Sequence, residues 1–192
     1  MAMVPIKLSA LAVLVAVALL FCYQSWSGSA GDSVIDGIRF PTELRASGAT
    51  QKLCGGGTRL KYNVVKVYAV GLYFEPQAVA RGSGTDSLKP YAALPSSELV
   101  KSKGFYEVLV GGKFAKSLLL QFHRSVGADA IAGALKDALA KKVSAGSLEK
   151  FSKELGRCLG SSSIPLGGKL SFHCKSDVMQ IAFGALHARS LD

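Results

Sequence analysis

Cysteine is scarce in this chain and poorly spaced for metal or disulfide chemistry. Of the four, Cys22 sits in an apolar N-terminal run, and Cys54, Cys158 and Cys174 are odd in number, far apart and without a CxxC pair. Neither a disulfide framework nor a zinc site of ordinary spacing is indicated. In the alternating stretch Lys169 to Cys174, His173 and Cys174 are neighbours whose side chains point to opposite faces of a strand, so they read as packed residues and not as a ligand pair. Long basic runs are also missing. The net charge is +10, yet the longest cluster is Lys141-Lys142. An acidic small molecule or surface therefore fits the excess better than nucleic acid, which is not expected as a partner. No internal repeat is present, and no GxxxxGK[ST] or GxGxxG motif opens a helix.

What is there begins with a targeting pattern. Leu8 to Tyr23 carries no charge, Lys7 precedes it, and small residues follow up to Ala30. This predicts a signal sequence or membrane anchor over residues 1–30, with cleavage after Ala30 or retention as a membrane attachment. The expected location is membrane-associated, or reached through the secretory pathway or an organelle signal. The rest, residues 31–192, has the length and apolar content of one domain.

Periodicity orders that domain. Val34 to Phe40 reads as a strand closed by Pro41, and Arg59 to Phe74 as strand material interrupted at Asn63. Pro76 suits the first turn of a helix through about Ala80, RGSGTDSLKP a loop, and Ser96 or Ser97 the cap of a short helix holding Leu99. Phe105 to Val110 and Lys116 to Val126 look extended, with Leu118, Leu120 and Phe122 on one face. Ile131, Leu135, Leu139 and Val143 recur at spacing four, the mark of a helix. Ser147 opens a second helix carrying Leu148, Phe151, Leu155 and Cys158 or Leu159, which Gly160 ends. Lys169 to Cys174 and Val178 to Phe183 flank KSD as a hairpin. Strands, a helical pair and two closing strands make an α+β layout, with a large mainly antiparallel sheet covered by helices on one side.

The candidate chemistry lies in CGGGTRLKYNVVKVYAVGLYFE, Cys54 to Glu75. Gly55, Gly56 and Gly57 read as a tight connection opening a strand, its backbone close to something, with Arg59 just beyond. Arginine suits a carboxylate because its planar fork offers two charge-assisted hydrogen bonds and keeps its charge. Arg59 and Tyr68 could share a head-group site only if the chain turns back, since a straight strand would set them roughly 30 Å apart on opposite faces. The bend is expected at Tyr62-Asn63.

GGGTRLK followed by VKVYAVGLYFE, between DGIRFP and EPQAVA, resembles the chalcone isomerase family, including its fatty-acid-binding branch. FYEVLVGGKFAKSLLLQFHRSV, SLEKFSKEL and the last strands fall in the family's order. The resemblance implies an open-faced β-sandwich with a ligand cleft between sheet and helices. It also implies that Arg59 matches the family arginine, while Tyr68 stands where the enzymes have threonine, as in the fatty-acid-binding branch. The remaining catalytic partners are missing: Asn63 is the sole asparagine, no tyrosine follows Tyr106 and no threonine follows Thr85.

No catalytic residue is therefore assigned, and neither a cofactor nor a metal is expected. The function expected is non-catalytic binding of a fatty acid or similar apolar carboxylate. Arg59 and Tyr68 would hold its head group, and Leu118, Leu120, Ile131 and Leu135 are candidates for the cleft lining. Lys61 and Lys66 read as solvated and Tyr73 as packed. The alternatives are a chalcone isomerase-type intramolecular lyase and an accessory structural module with an empty cleft.

Overall fold

A computed structural model describes residues 2–4, 33–62, 64–80, 87–99, 101–140, 143–176 and 178–184. The run Leu8 to Tyr23 and the junction after Ala30 lie outside them. Among the described residues no helix is long and apolar enough to cross a membrane.

Asp36-Gly37 is the first departure from the periodicity reading. Both residues have positive φ, 51° and 85°, the conformation a two-residue hairpin turn requires. Val34 to Phe40 is accordingly not one strand but a hairpin of β2 (Ser33–Ile35) and β3 (Ile38–Phe40). The main sheet follows: β4 (Glu43–Ala46), β5 (Ala49–Lys61), β6 (Val65–Phe74), β7 (Lys116–Phe122), β8 (Lys169–Lys175) and β9 (Val178–Phe183). Its order is β9-β8-β7-β6-β5-β4, every pair antiparallel, and β1 (Ala2–Val4) pairs with β9 at the outer edge.

The connections carry the short helices α1 (Gln77–Ala80), α2 (Ser96–Leu99) and α3 (Lys103–Gly111), and a 3-10 turn at Lys89–Tyr91. The pair α4 (Ala128–Ala140) and α5 (Ala145–Leu159) forms the main cover. The whole is an α+β fold in which a curled antiparallel sheet carries helices on one side.

Alternation decides the faces. Tyr68, Val70, Leu72 and Phe74 of β6 join Leu118, Leu120 and Phe122 of β7 and Leu170 and Phe172 of β8 in one core with Ile131, Leu135, Leu139, Phe151 and Leu155 of the helices. Phe151 stacks on Phe172 with centroids 6.2 Å apart. The other face of β6 and β7 presents Ala69, Tyr73 and Leu119, which form a second cluster with Phe40 and Leu44 under the β2–β3 hairpin.

Three further readings are corrected. Phe105 to Val110 is not extended but lies in α3: the Ser102 side chain accepts a hydrogen bond from the Phe105 N–H, and Phe105 and Leu109, one turn apart, are the buried pair. Its aromatic and β-branched residues favour a strand locally, and the cap and the buried face override them. The helix α5 starts at Ala145 with Ser144 as its cap, since the Ser144 side chain accepts from the Ser147 N–H. The glycines do not open a strand. They lie in the middle of β5, which begins at Ala49 after an unexpected β4.

Candidate functional site

The β5–β6 register brings Arg59 directly opposite Tyr68. Residues directly opposed in an antiparallel pair share a face, so both side chains start from the face that the helices cover, where Tyr68 belongs to the core. The turn that folds β6 back is where it was expected: Tyr62 has φ 57° and the Val64 N–H donates to the Lys61 carbonyl at 3.3 Å. Asn63 lies outside the described residues. Arg59↔Tyr68 is followed at once by Leu60↔Lys66, so Val67 is an extra residue on β6, a bulge that turns the strand beside the arginine.

The three glycines divide between the faces. Gly57↔Val70 and Gly55↔Leu72 continue the Arg59↔Tyr68 side, leaving β5 without side chains along the helix-covered face next to Arg59. Gly56 faces the other way, opposite Gly71. A Cβ on Gly56 would come within 2.2 Å of the Val70 carbonyl oxygen and 2.4 Å of Ile35 Cδ1. What the backbone approaches there is the β2–β3 hairpin, and not an anion.

Arg59 is half-buried. Tyr68 is buried, its ring 5.5 Å from that of Phe122 at 58°, a partner the sequence reading missed and that the Tyr68↔Phe122 register supplies. Leu118 and Leu120 on β7 and Ile131 and Leu135 on α4 are all buried in the same continuous core as Tyr68. The register sets Leu120 beside Val70 and Leu118 beside Leu72, so rows run from the glycines of β5 toward β7 beneath the helices.

The weaker candidates separate from this group. Lys61 is exposed, its ammonium 5.2 Å from the centre of the Tyr62 ring. Lys66 is tied to Asp36 at 2.5 Å, and this hydrogen bond is the main reason the Asp36 carboxyl titrates below its usual value. His123 Nε2 lies 3.8 Å from the other Asp36 oxygen. Tyr73 is on the opposite face, fully buried, its hydroxyl donating to the Pro41 carbonyl at 2.9 Å. Burial pushes its pKa well above that of a free phenol.

His173 and Cys174 point apart, as alternation requires. Cys174 enters the helix-side core, where burial pushes its thiol up to about 12. His173 packs on the other face with Nδ1 2.9 Å from Ser117 Oγ. Burial also raises Cys54 to about 12, so neither thiol is a nucleophile near neutral pH. Among the described residues no group of His, Cys, Asp and Glu is arranged to hold a metal. A groove of about 900 Å³ lies between the β4–β5 and β8–β9 turns, lined by Arg45, Lys175 and Gln180 among others. It is at the opposite end of β5 from Arg59 and contains none of the candidate residues.

One solved structure, a crystal structure of an Arabidopsis thaliana fatty-acid binding protein, superposes on this chain with a TM-score of 0.55 at 21% identity, over 77% of this chain and 74% of that one. The two proteins share a fold. No family model matches the chain and no curated protein does.

Proposed function

We propose that this protein binds a fatty acid or similar apolar carboxylate between its sheet and its helical layer, without catalysing a reaction. The observation that carries the reading is the cross-strand pairing of Arg59 with Tyr68 on the apolar, helix-covered face. In this reading the Arg59 guanidinium takes the carboxylate through two hydrogen bonds and Tyr68 donates a third. The acyl chain runs along the side-chain-free strip at Gly57 and Gly55, against Leu118, Leu120, Ile131 and Leu135. Each buried methylene contributes roughly 0.8 kcal/mol. The fold shared with a fatty-acid binding protein supports the reading, and so does the lack of any asparagine, threonine or tyrosine after Tyr106. Along residues 126–139 a polyphenol would find no hydroxyl or amide side chain, whereas a hydrocarbon needs none.

Native mass spectrometry of the purified protein tests this. The expected result is a co-purified acyl ligand that Arg59→Ala loses, with affinity falling roughly thirtyfold for one charge-assisted contact of about 2 kcal/mol. Absence of any acyl mass, or unchanged loading in Arg59→Ala, refutes it. The complete burial of Leu118, Leu120, Ile131 and Leu135 favours a second reading, an accessory structural module whose interior is simply packed. A protein that takes up no lipid but is retained by other proteins supports that one. Loss of chalcone absorbance dependent on Arg59 would instead indicate an isomerase.

A further inference from the structure

Among the described residues the large apolar side chains left exposed are Val34, Leu60, Tyr62, Val64 and Leu166. Four of them gather at one end of the sheet. Leu60, Tyr62 and Val64, exposed to 37%, 80% and 77%, alternate along the tip of the β5–β6 hairpin. Leu166, 71% exposed, occupies the turn before β8. That turn is fixed to the end of β7, because the Gly167 N–H donates to the Phe122 carbonyl at 2.8 Å and the Phe122 N–H to the Gly168 carbonyl at 3.1 Å. Phe122 pairs with Tyr68 at the start of β6, so the two turns project from the same edge of the fold.

Their charge is one-sided. Residues 59–68, 122–126 and 164–169 contain Arg59, Lys61, Lys66, Arg124 and Lys169 and no aspartate or glutamate. Asp36, which reaches this end from the β2–β3 turn, is taken by Lys66. Lys61 and Arg124 are both exposed. The residue at the apex is also informative. Tyr62 holds φ 57°, a conformation that glycine or asparagine adopts at lower cost than a bulky aromatic. A tyrosine there, 80% exposed and touched by the Lys61 ammonium, breaks a local rule without the gain of burial.

We propose that this end of the sheet docks on an anionic membrane surface, with Tyr62, Val64 and Leu166 entering the headgroup layer and Lys61 and Arg124 lying against lipid phosphates. Tyrosine belongs at such an interface because its ring is apolar and its hydroxyl wet. A projecting apolar tip ringed by cations suits a soft acidic surface. The inference does not depend on what occupies the interior, and it is separate from any attachment through residues 1–30.

The full chain carrying Tyr62→Trp and Trp26→Phe, the latter removing its only tryptophan, places a fluorophore at the tip. With vesicles of phosphatidylcholine and phosphatidylserine, emission should shift to the blue and be quenched by brominated phosphatidylcholine, and vesicles without phosphatidylserine should give much less. Adding Lys61→Gln and Arg124→Gln should weaken the effect about fivefold per charge removed. Emission unchanged by vesicles, even while the chain sediments with them, overturns the proposal, because binding would then run through another segment. Concentration-dependent self-association abolished by Val64→Ser also overturns it, since the tip would then be a contact between copies. Fatty-acid loading from detergent should be unaffected by the tip substitutions, so failure here and failure at Arg59 are distinguishable.

Discussion

Acid should destabilise this protein through His173. The residue is 1% exposed, its Nδ1 engages Ser117 Oγ, and its Nε2 has no partner. Charging the ring would bury an imidazolium with one nitrogen unsatisfied, and this burial lowers its pKa from 6.5 to about 4. Between those values the unfolded chain binds a proton that the folded chain does not, so stability falls as the pH drops through the window. Above 6.5 both states are neutral at this site, and below about 4 the loss is complete. The gap corresponds to about 3 kcal/mol, a large part of the 5–15 kcal/mol that holds an ordinary domain together. Asp36 titrates with the opposite logic: the Lys66 hydrogen bond depresses its pKa, so it contributes stability above the ordinary carboxylate value of 3.8 that is lost only at lower pH, and it leaves the window clear. Urea unfolding followed by far-ultraviolet circular dichroism at a series of pH values measures the effect. In His173→Gln, which keeps a polar contact for Ser117 and does not titrate, the fall across the window should shrink by about 3 kcal/mol. If wild type and His173→Gln lose stability in parallel from pH 6.5 to 4, the argument from burial is wrong.

Two other substitutions probe the scaffold. The Lys116 ammonium is fully buried and donates to the carbonyls of Leu109, Val110 and Gly112 at 2.6, 3.1 and 2.7 Å, closing the C-terminus of α3 with a positive charge. Lys116→Met would leave those acceptors unpaired in the interior and should cost about 3 kcal/mol in urea unfolding; a neutral result would show that the carbonyls find other donors. Gly56→Ala should destabilise by about 2 kcal/mol because its Cβ meets the rigid Val70 carbonyl, an overpacking that outweighs the gain in strand propensity. An unchanged thermal midpoint would mean that β5 and β6 part easily.

The elements that local patterns encode were legible. Spacing four at Ile131, Leu135 and Leu139 marked α4, alternation at Leu118, Leu120 and Phe122 marked the helix-covered face of β7, and KSD marked the β8–β9 turn. Legibility failed where a cap or a turn outweighed propensity. Ser102 made a helix of FYEVLV, and Asp36-Gly37 split one strand into two. The buried polar groups gave no local signal. Lys116 reads as a surface lysine until α3 is folded over it, and Ser117 and His173 are 56 residues apart in the chain.

For the candidate site, the sequence alone determined which residue types were available: an arginine, a tyrosine, three consecutive glycines just before the arginine, and a stretch after Tyr106 without the asparagine, threonine and tyrosine of a cyclising enzyme. It also determined side-chain alternation, because a strand's period of two is a property of the backbone. Tertiary structure decided everything that depends on register. It set Arg59 across from Tyr68, turned Gly55 and Gly57 toward the helices and Gly56 toward the hairpin, and brought His173 to Ser117. Register is a relation between strands, and sliding one strand by a single residue exchanges its two faces. It is fixed by the bulges at Cys54 and Val67 and by the fit of the hairpin over Gly56 and Gly71, none of which a single stretch of residues carries.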